Sequence, residues 1–165
     1  DVVLNAGTVL RPVEIAVLAS VGCDPASVYA MPRVGVVATG DELIEPRQKP
    51  TAAKIRNSNS YQLCAQIQRA GCKTKYFGIA KDTPEAVNEV LGRAIAQCDV
   101  VLFSGGVSMG DYDFVPQILR ANDIDIKFEK VRIKPGRPTV FGTKDNKYFF
   151  GLPGSLILYS GIYYL

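Results

Sequence analysis

The 165-residue sequence contains no histidine. That absence removes the commonest metal ligand, the usual general base near neutral pH and every Ser-His-Asp or Cys-His triad, so any catalysis must use carboxylates, lysines, hydroxyls or a hard metal ion. Cysteine is sparse and unpatterned: Cys23, Cys64, Cys72 and Cys98 form no Cys-x-x-Cys pair. Three of them stand in apolar or helix-like stretches, so all four are expected to be reduced packing residues. No apolar run approaches the ~20 residues needed to span a bilayer, and no membrane partner is expected. The charge excess is slight, 19 basic against 16 acidic residues for a formal +3. It does not argue for nucleic acid, although a local basic cluster could hold a small anion. Asp1 opens an acidic and mixed segment without the basic-then-apolar order of a signal peptide, which points to a cytoplasmic setting.

What is present is the composition of a folded domain: 47% hydrophobic and 21% charged residues, over a length that suits one domain with its own core. Residues 1–31 read as a connector from a preceding domain, with a short helix from Pro12 to Val21 stopped by Gly22. Residues 32–165 are expected to form the domain proper. Apolar runs at Arg33 to Ala38, Lys75 to Ala80 and Asp99 to Ser104 predict strands. After the first, a long loop rich in Pro, Lys and Arg leads to a helix from Ser60 to Ala70, with Leu63, Ile67 and Ala70 at helical spacing and Gly71 as its cap. A second helix, running to about Gln97, is marked by Thr83 as N-cap, Pro84 at the first helical position and Glu85 in the first turn. A helix from about Tyr112 to Ala121 follows, then extended segments near Ile124 to Ile133, Thr139 to Thr143 and Lys147 to Phe150. Three strand-helix units in succession predict an α/β fold: a mainly parallel sheet, helices on both faces, right-handed crossovers, and room for an antiparallel hairpin at one edge. The Tyr-rich apolar run from Leu156 to Leu165 reads as a buried helix or a truncated element, so the chain is expected to be part of a longer protein.

In open α/β sheets ligands bind outside the carboxyl ends of the strands, so the loops that follow the strands carry the chemistry. Four are informative: Thr39-Gly40-Asp41-Glu42, Lys81-Asp82-Thr83-Pro84, Ser104-Gly105-Gly106-Val107-Ser108-Met109-Gly110-Asp111-Tyr112-Asp113, and Lys134-Pro135-Gly136-Arg137-Pro138. Taken singly, each also reads as ordinary turn or capping chemistry; it is their convergence on one edge that points to a site. Gly105 and Gly110 have the spacing of a nucleotide-binding P-loop, but Asp111 and Tyr112 stand where Lys and Ser or Thr are required, which argues against a nucleoside triphosphatase. A Gly-rich turn entering a helix still offers backbone N–H groups and the positive helix end to an anion, with Ser104 and Ser108 as further donors. Asp111 and Asp113 beside that anion would repel it unless a cation such as Mg²⁺ intervenes. With Lys134 and Arg137 nearby, the set suits phosphate plus a hard metal.

At these residues the sequence resembles the molybdopterin molybdenumtransferases, the MoeA and gephyrin E-domain family. The resemblance rests on Thr39-Gly-Asp-Glu-Leu43, Ser104-Gly-Gly-Val-Ser-Met-Gly110 with Asp113, Lys134-Pro-Gly-Arg-Pro138, Gly151-Leu-Pro-Gly154, and Gly7-Thr-Val-Leu-Arg-Pro-Val-Glu-Ile with Leu18-Ala-Ser-Val-Gly22. It implies a three-layer α/β fold and insertion of molybdate into adenylylated molybdopterin, with phosphoanhydride cleavage and release of AMP, assisted by Mg²⁺. Glu42, Asp82 and Asp113 would be the essential carboxylates and Lys134 a binder of anionic substrate. Thr39, Gly40, Asp41, Ser104, Gly105, Gly106, Ser108, Gly136, Arg137, Pro153, Gly154 and Ser155 would complete the substrate site, and Asp82, Asp111 and Asp113 would hold the metal. The family further implies a homodimer in the full-length protein. Two positions depart from its pattern: Arg137 replaces the usual second Lys, and Ser155-Leu156 replaces Asn-Pro after the Gly-Leu-Pro-Gly run. The rival readings are the adenylyltransferase that activates molybdopterin on the same fold, and a fragment that binds the pterin nucleotide without turnover.

Overall fold

The computed structural model describes residues 1–107, 114–134 and 136–154. Along the chain the elements are α1 (Pro12–Ser20), β1 (Arg33–Thr39), β2 (Leu43–Ile44), β3 (Ile55–Arg56), α2 (Asn59–Arg69), β4 (Lys73–Ala80), α3 (Pro84–Gln97), β5 (Val100–Ser104), α4 (Phe114–Ala121), β6 (Asp125–Phe128), β7 (Val140–Lys144) and β8 (Lys147–Leu152). They divide between two units, Asp1–Ala30 and Met31–Leu165. In the first, α1 is opened by Arg11, whose backbone N–H and side chain both donate to the Glu14 carboxylate at 2.6 to 3.1 Å. That clasp holds the Glu14 carboxyl below, and the guanidinium above, their ordinary pKa ranges.

In the second unit six of the seven residues of β1 are buried, the mark of a strand covered on both faces. β1 lies between β4 and β5, parallel to both, and the sheet runs in the order β4-β1-β5-β8-β7-β6. β8 is parallel to β5, while β7 is antiparallel to both β8 and β6. The β7–β8 turn is made by Asp145 and Asn146 at φ 48 and 60, a two-residue connection that matches the strands' twist and that short polar side chains tolerate. On one face Val87, Val90, Leu91 and Ala94 of α3 and Val115, Ile118 and Leu119 of α4 pack against Val37, Val101, Phe103 and Phe149. On the other, Leu63 and Ile67 of α2 pack against Val34, Val36 and Leu152. Helix, sheet and helix make the three layers that the sequence predicts, and the extended segments at the end form the antiparallel side of the sheet.

Some details differ from expectation. The loop after β1 is not featureless: β2 and β3 pair in parallel as a two-stranded ribbon, too short for a periodic pattern to reveal. Ala70 is exposed and stands at the C-cap of α2 rather than on its buried face. All four cysteines are free. Cys98 is buried against Gly35, where an added Cβ would come within 3.1 Å of its sulfur, and burial raises its thiol pKa. Cys23, by contrast, is exposed rather than packed in the core. No helix among the described residues is long and apolar enough to cross a membrane.

Candidate active site at the carboxyl edge of the sheet

β1 connects leftward to β4 through α2, and β4 crosses back over β1 to reach β5 through α3. The direction of winding therefore reverses between β1 and β5, and such a switch opens a crevice beyond the two strand ends. Thr39 closes β1 at that crevice, and Gly105–Gly106 follow β5. The two glycines sit at φ 98 and 67, which favours residues without a Cβ. Their contacts demand it as well: a Cβ on Gly105 would stand 2.6 Å from the Thr39 carbonyl oxygen, and one on Gly106 2.8 Å from Thr39 Oγ1. The Gly105 N–H donates to the Leu152 carbonyl at 2.9 Å, fixing the turn to the end of β8. Thr39 Oγ1 is buried and has no hydrogen-bond partner among the described residues. A buried hydroxyl with an unused donor, held against a glycine turn, suits a ligand oxygen.

The carboxylates lie on the other side of β1. The Asp41 N–H donates to Asp82 Oδ2 at 3.0 Å, and the Asp82 N–H donates to Asp41 Oδ1 at 3.2 Å. Lys54 adds an ammonium donating to the Asp41 carbonyl. Glu42 folds back over Gly40, where an added Cβ would meet Glu42 Oε2 at 2.7 Å. Asp41, Glu42 and Asp82 thus share the β1 and β4 ends.

The cationic loop lies at the same edge but further along. β7 runs against β8, so its first residue Val140 is level with Gly151 near the end of β8. The segment between β6 and β7 is closed by the Val131 N–H donating to the Arg137 carbonyl at 2.9 Å. Gly136 is buried at φ 113, and its carbonyl accepts the Thr139 hydroxyl at 2.8 Å, whereas Lys134 and Arg137 are exposed. They line a cleft of about 560 Å³ with Lys130, Val131, Arg132 and Ile133. At roughly 4.8 Å per strand, four strand spacings put β4 about 19 Å from β7. The acidic and basic members are therefore the two ends of one edge rather than neighbours in one cluster, with the glycine turn between them. Strand order decides this separation, and loop chemistry alone does not reveal it.

Of the remaining expected residues, Ser104 is buried at the end of β5. Pro153 is half-buried, and Gly154 is exposed with its carbonyl accepting from Asn59 Nδ2 at 3.0 Å. Ser108, Asp111, Asp113 and Ser155 lie outside the described residues. Among those described, no three Asp, Glu or Cys side chains group to hold a metal ion, and Asp82 is the member of the expected Mg²⁺ set that they include.

The sequence reading missed a polar network beneath the β2–β3 ribbon. Asn57 Nδ2 donates to the Tyr76 hydroxyl at 2.7 Å, and that hydroxyl donates to Glu45 Oε1 at 2.8 Å. Asn57 Oδ1 also accepts the Ser60 N–H at 3.2 Å, satisfying a donor in the first turn of α2. Burial, and then the hydrogen-bonded Glu45, push the Tyr76 phenol above its usual pKa. The cue was Asn57-Ser58-Asn59-Ser60 before an apolar helical pattern: a run rich in capping residues, one of which, Asn59, also ties α2 to the Gly154 turn.

Residues 35–158 match the family model described as a probable molybdopterin binding domain. Over 155 residues the chain is 42% identical to the molybdopterin molybdenumtransferase of Nostoc sp., a match covering 92% of this chain and 36% of that one. It is 38% identical to the molybdopterin molybdenumtransferase of Staphylococcus aureus, covering 94% and 37%. The crystal structure of the molybdopterin biosynthesis MoeA protein from Pyrococcus horikosii superposes with a TM-score of 0.72 at 30% identity, covering 88% of this chain and 36% of that one. A molybdenum cofactor biosynthesis protein B, at 20% identity and a TM-score of 0.59, shows a likeness of fold alone. The chain spans little more than a third of the length of the curated relatives it matches. The family match takes in the switch-point crevice, both acidic loops and the cationic loop, and the chain belongs to the family of molybdopterin-binding domains.

Proposed function

We propose that this chain is the part of a molybdopterin molybdenumtransferase that binds adenylylated molybdopterin and molybdate, inserts the metal, cleaves the phosphoanhydride and releases AMP. One observation carries the reading: the carboxyl edge of the sheet presents, in order, the Asp82, Asp41 and Glu42 carboxylates, the Gly105–Gly106 turn against Thr39, and a cationic cleft. A long anionic nucleotide ligand suits an edge of that length and polarity. Lys134 and Arg137 hold anionic oxygens by charge-assisted hydrogen bonds. The Gly105–Gly106 backbone and the Thr39 hydroxyl bind at the crevice, with Gly40, Ser104, Ser108, Gly136 and the Pro153–Ser155 turn completing the substrate site. Glu42, Asp82 and Asp113 are the essential carboxylates, which place metal and water along the substrate. Mg²⁺, when bound by Asp82, Asp111 and Asp113, supplies charge neutralisation between these carboxylates and the anionic substrate.

The full-length protein is a cytoplasmic homodimer. In the unit Asp1–Ala30, Val2, Val9, Val13, Val28 and Tyr29 are exposed, apolar surface that suits cover by another chain. The test is single-turnover release of AMP from adenylylated molybdopterin by the full chain with Glu42→Gln. A loss of roughly 10² to 10⁴-fold is expected for a positioned acid or base; release at the parental rate overturns the assignment.

A further inference from the structure

The loop between β6 and β7 carries twice the positive charge that a single oxyanion needs. Lys130, Arg132, Lys134 and Arg137 all line the same cleft of about 560 Å³. The hydrogen bond from Val131 to Arg137 sets Arg137 opposite Val131, so Lys130 and Arg132 flank it in sequence on the facing arm. All four are exposed, and none of their side chains has a hydrogen bond or ion pair to a described residue. The nearby acids do not relieve the repulsion, because Glu129 is engaged by Arg120 and Asp125 by Lys127. Four like charges gathered on one short loop are unfavourable in the empty state and raise the local concentration of anions. Pockets of roughly 300 to 1,000 Å³ hold ligands of drug size, and a tetrahedral oxyanion of five heavy atoms fills only a fraction of such a volume. The planar fork of Arg132 grips two oxygens at once, which suits adjacent phosphates better than a point charge does.

We propose that Lys130 and Arg132 are specificity-determining residues that extend the Lys134–Arg137 anion site into a diphosphate subsite. This deepens the reading above and rests on it: the diphosphate is the phosphoanhydride of the pterin nucleotide. The measurement is calorimetric affinity of the full chain for inorganic pyrophosphate and inorganic phosphate at fixed ionic strength, with molybdate as a third probe. The parent should prefer pyrophosphate to phosphate by about 10 to 100-fold, the range that one or two hydrogen bonds to a charged group contribute. Lys130→Ala/Arg132→Ala should reduce that preference to about 3-fold or less and leave phosphate and molybdate within about 3-fold of the parent. Arg69→Ala/Lys73→Ala, which removes two exposed charges near the start of β4, should leave the preference intact. No preference in the parent, an unchanged preference in Lys130→Ala/Arg132→Ala, or an equal drop in the distal control each overturns the subsite. If the preference is lost in Lys130→Ala/Arg132→Ala while its KM for adenylylated molybdopterin stays parental, the subsite stands and the proposed function falls.

Discussion

Asp41 and Asp82 hold each other through their backbones, each amide donating to the other's carboxylate at 3.0 and 3.2 Å across 41 residues of sequence. The exchange fixes the ends of β1 and β4 relative to each other. It also engages one oxygen of each carboxylate. Structure and chemistry can therefore be separated by substitution. Asp82→Asn keeps an acceptor for the Asp41 amide and should melt within about 0.5 kcal/mol of the parent, whereas Asp82→Ala should lose about 1 kcal/mol. Both should lose AMP release by roughly 10²-fold or more if the charge is what matters. Thermal melting and single-turnover assays on the two variants check this, and full activity in Asp82→Asn contradicts it.

The glycine turn makes a different kind of demand. Gly105→Ala places a methyl group 2.6 Å from the Thr39 carbonyl at a φ of 98, combining backbone strain with overpacking. A loss of about 2 to 5 kcal/mol is expected in denaturant unfolding. Gly154→Ala is the contrasting case, since nothing lies within 4 Å of its added Cβ, and it should be close to neutral.

Tyr76→Phe removes the hydroxyl between Asn57 and Glu45 and leaves a buried amide donor short of a partner. About 1 to 3 kcal/mol of stability should go with it. Tyr61, which donates to the other oxygen of Glu45 at 3.0 Å, is about half exposed at 49%. Water can replace it, so Tyr61→Phe should lose well under 1 kcal/mol. Equal losses in the two variants would show that burial does not set the energetics of this network.

These residues also mark where sequence reading stops. The strands at β1 and β5 and the start of α3 were legible because each has a local signature: a doubly buried apolar run, or Thr83-Pro84-Glu85 with the Thr83 hydroxyl accepting the Ala86 N–H at 3.3 Å. The loops that carry the candidate site were legible because they follow strands. Their order along the edge was not, since it depends on β4 pairing outside β1 and β8 pairing beside β5. The Asn57–Tyr76–Glu45 network and the Asn59–Gly154 contact join residues 19 to 95 positions apart, and such polar pairings leave no periodic trace. Cys23 and Ala70 show the opposite failure: an apolar residue in a plausible local pattern that tertiary packing leaves in solvent.

At the other end of the sheet Asp99 accepts the Arg33 N–H at 2.8 Å and pairs with its guanidinium at 3.5 Å. Both contacts, the backbone bond first, hold its pKa below the usual carboxylate range in the folded protein. A depressed folded pKa stabilises above the unfolded value and is lost as pH falls toward the folded one. The melting-temperature gap between the parent and Asp99→Asn should therefore be full near neutrality and shrink below about pH 4, where the unfolded carboxylate begins to protonate. A gap that is independent of pH contradicts the assignment.

For the cationic loop the signature is salt dependence. Lys134→Ala should weaken AMP binding by about 1.5 to 3 kcal/mol at low ionic strength, with the gap narrowing as salt screens the contact. Arg137→Lys retains the charge and should lose less. Equal AMP affinity in Lys134→Ala and the parent at low salt removes this loop from the site.

The insertion of β8 between β5 and β7 has a consequence for biosynthesis. The Gly105 N–H finds its acceptor on Leu152, 47 positions later, so the crevice cannot set until the ribosome has released that segment. Until then β4, β1 and β5 can assemble with α2 and α3, leaving β5 as an open border with apolar neighbours. Such a border invites strand addition from a second nascent chain. Slow translation between α4 and β8 should therefore raise aggregation rather than relieve it, and the acidic half of the edge should become protease-resistant before the basic half does.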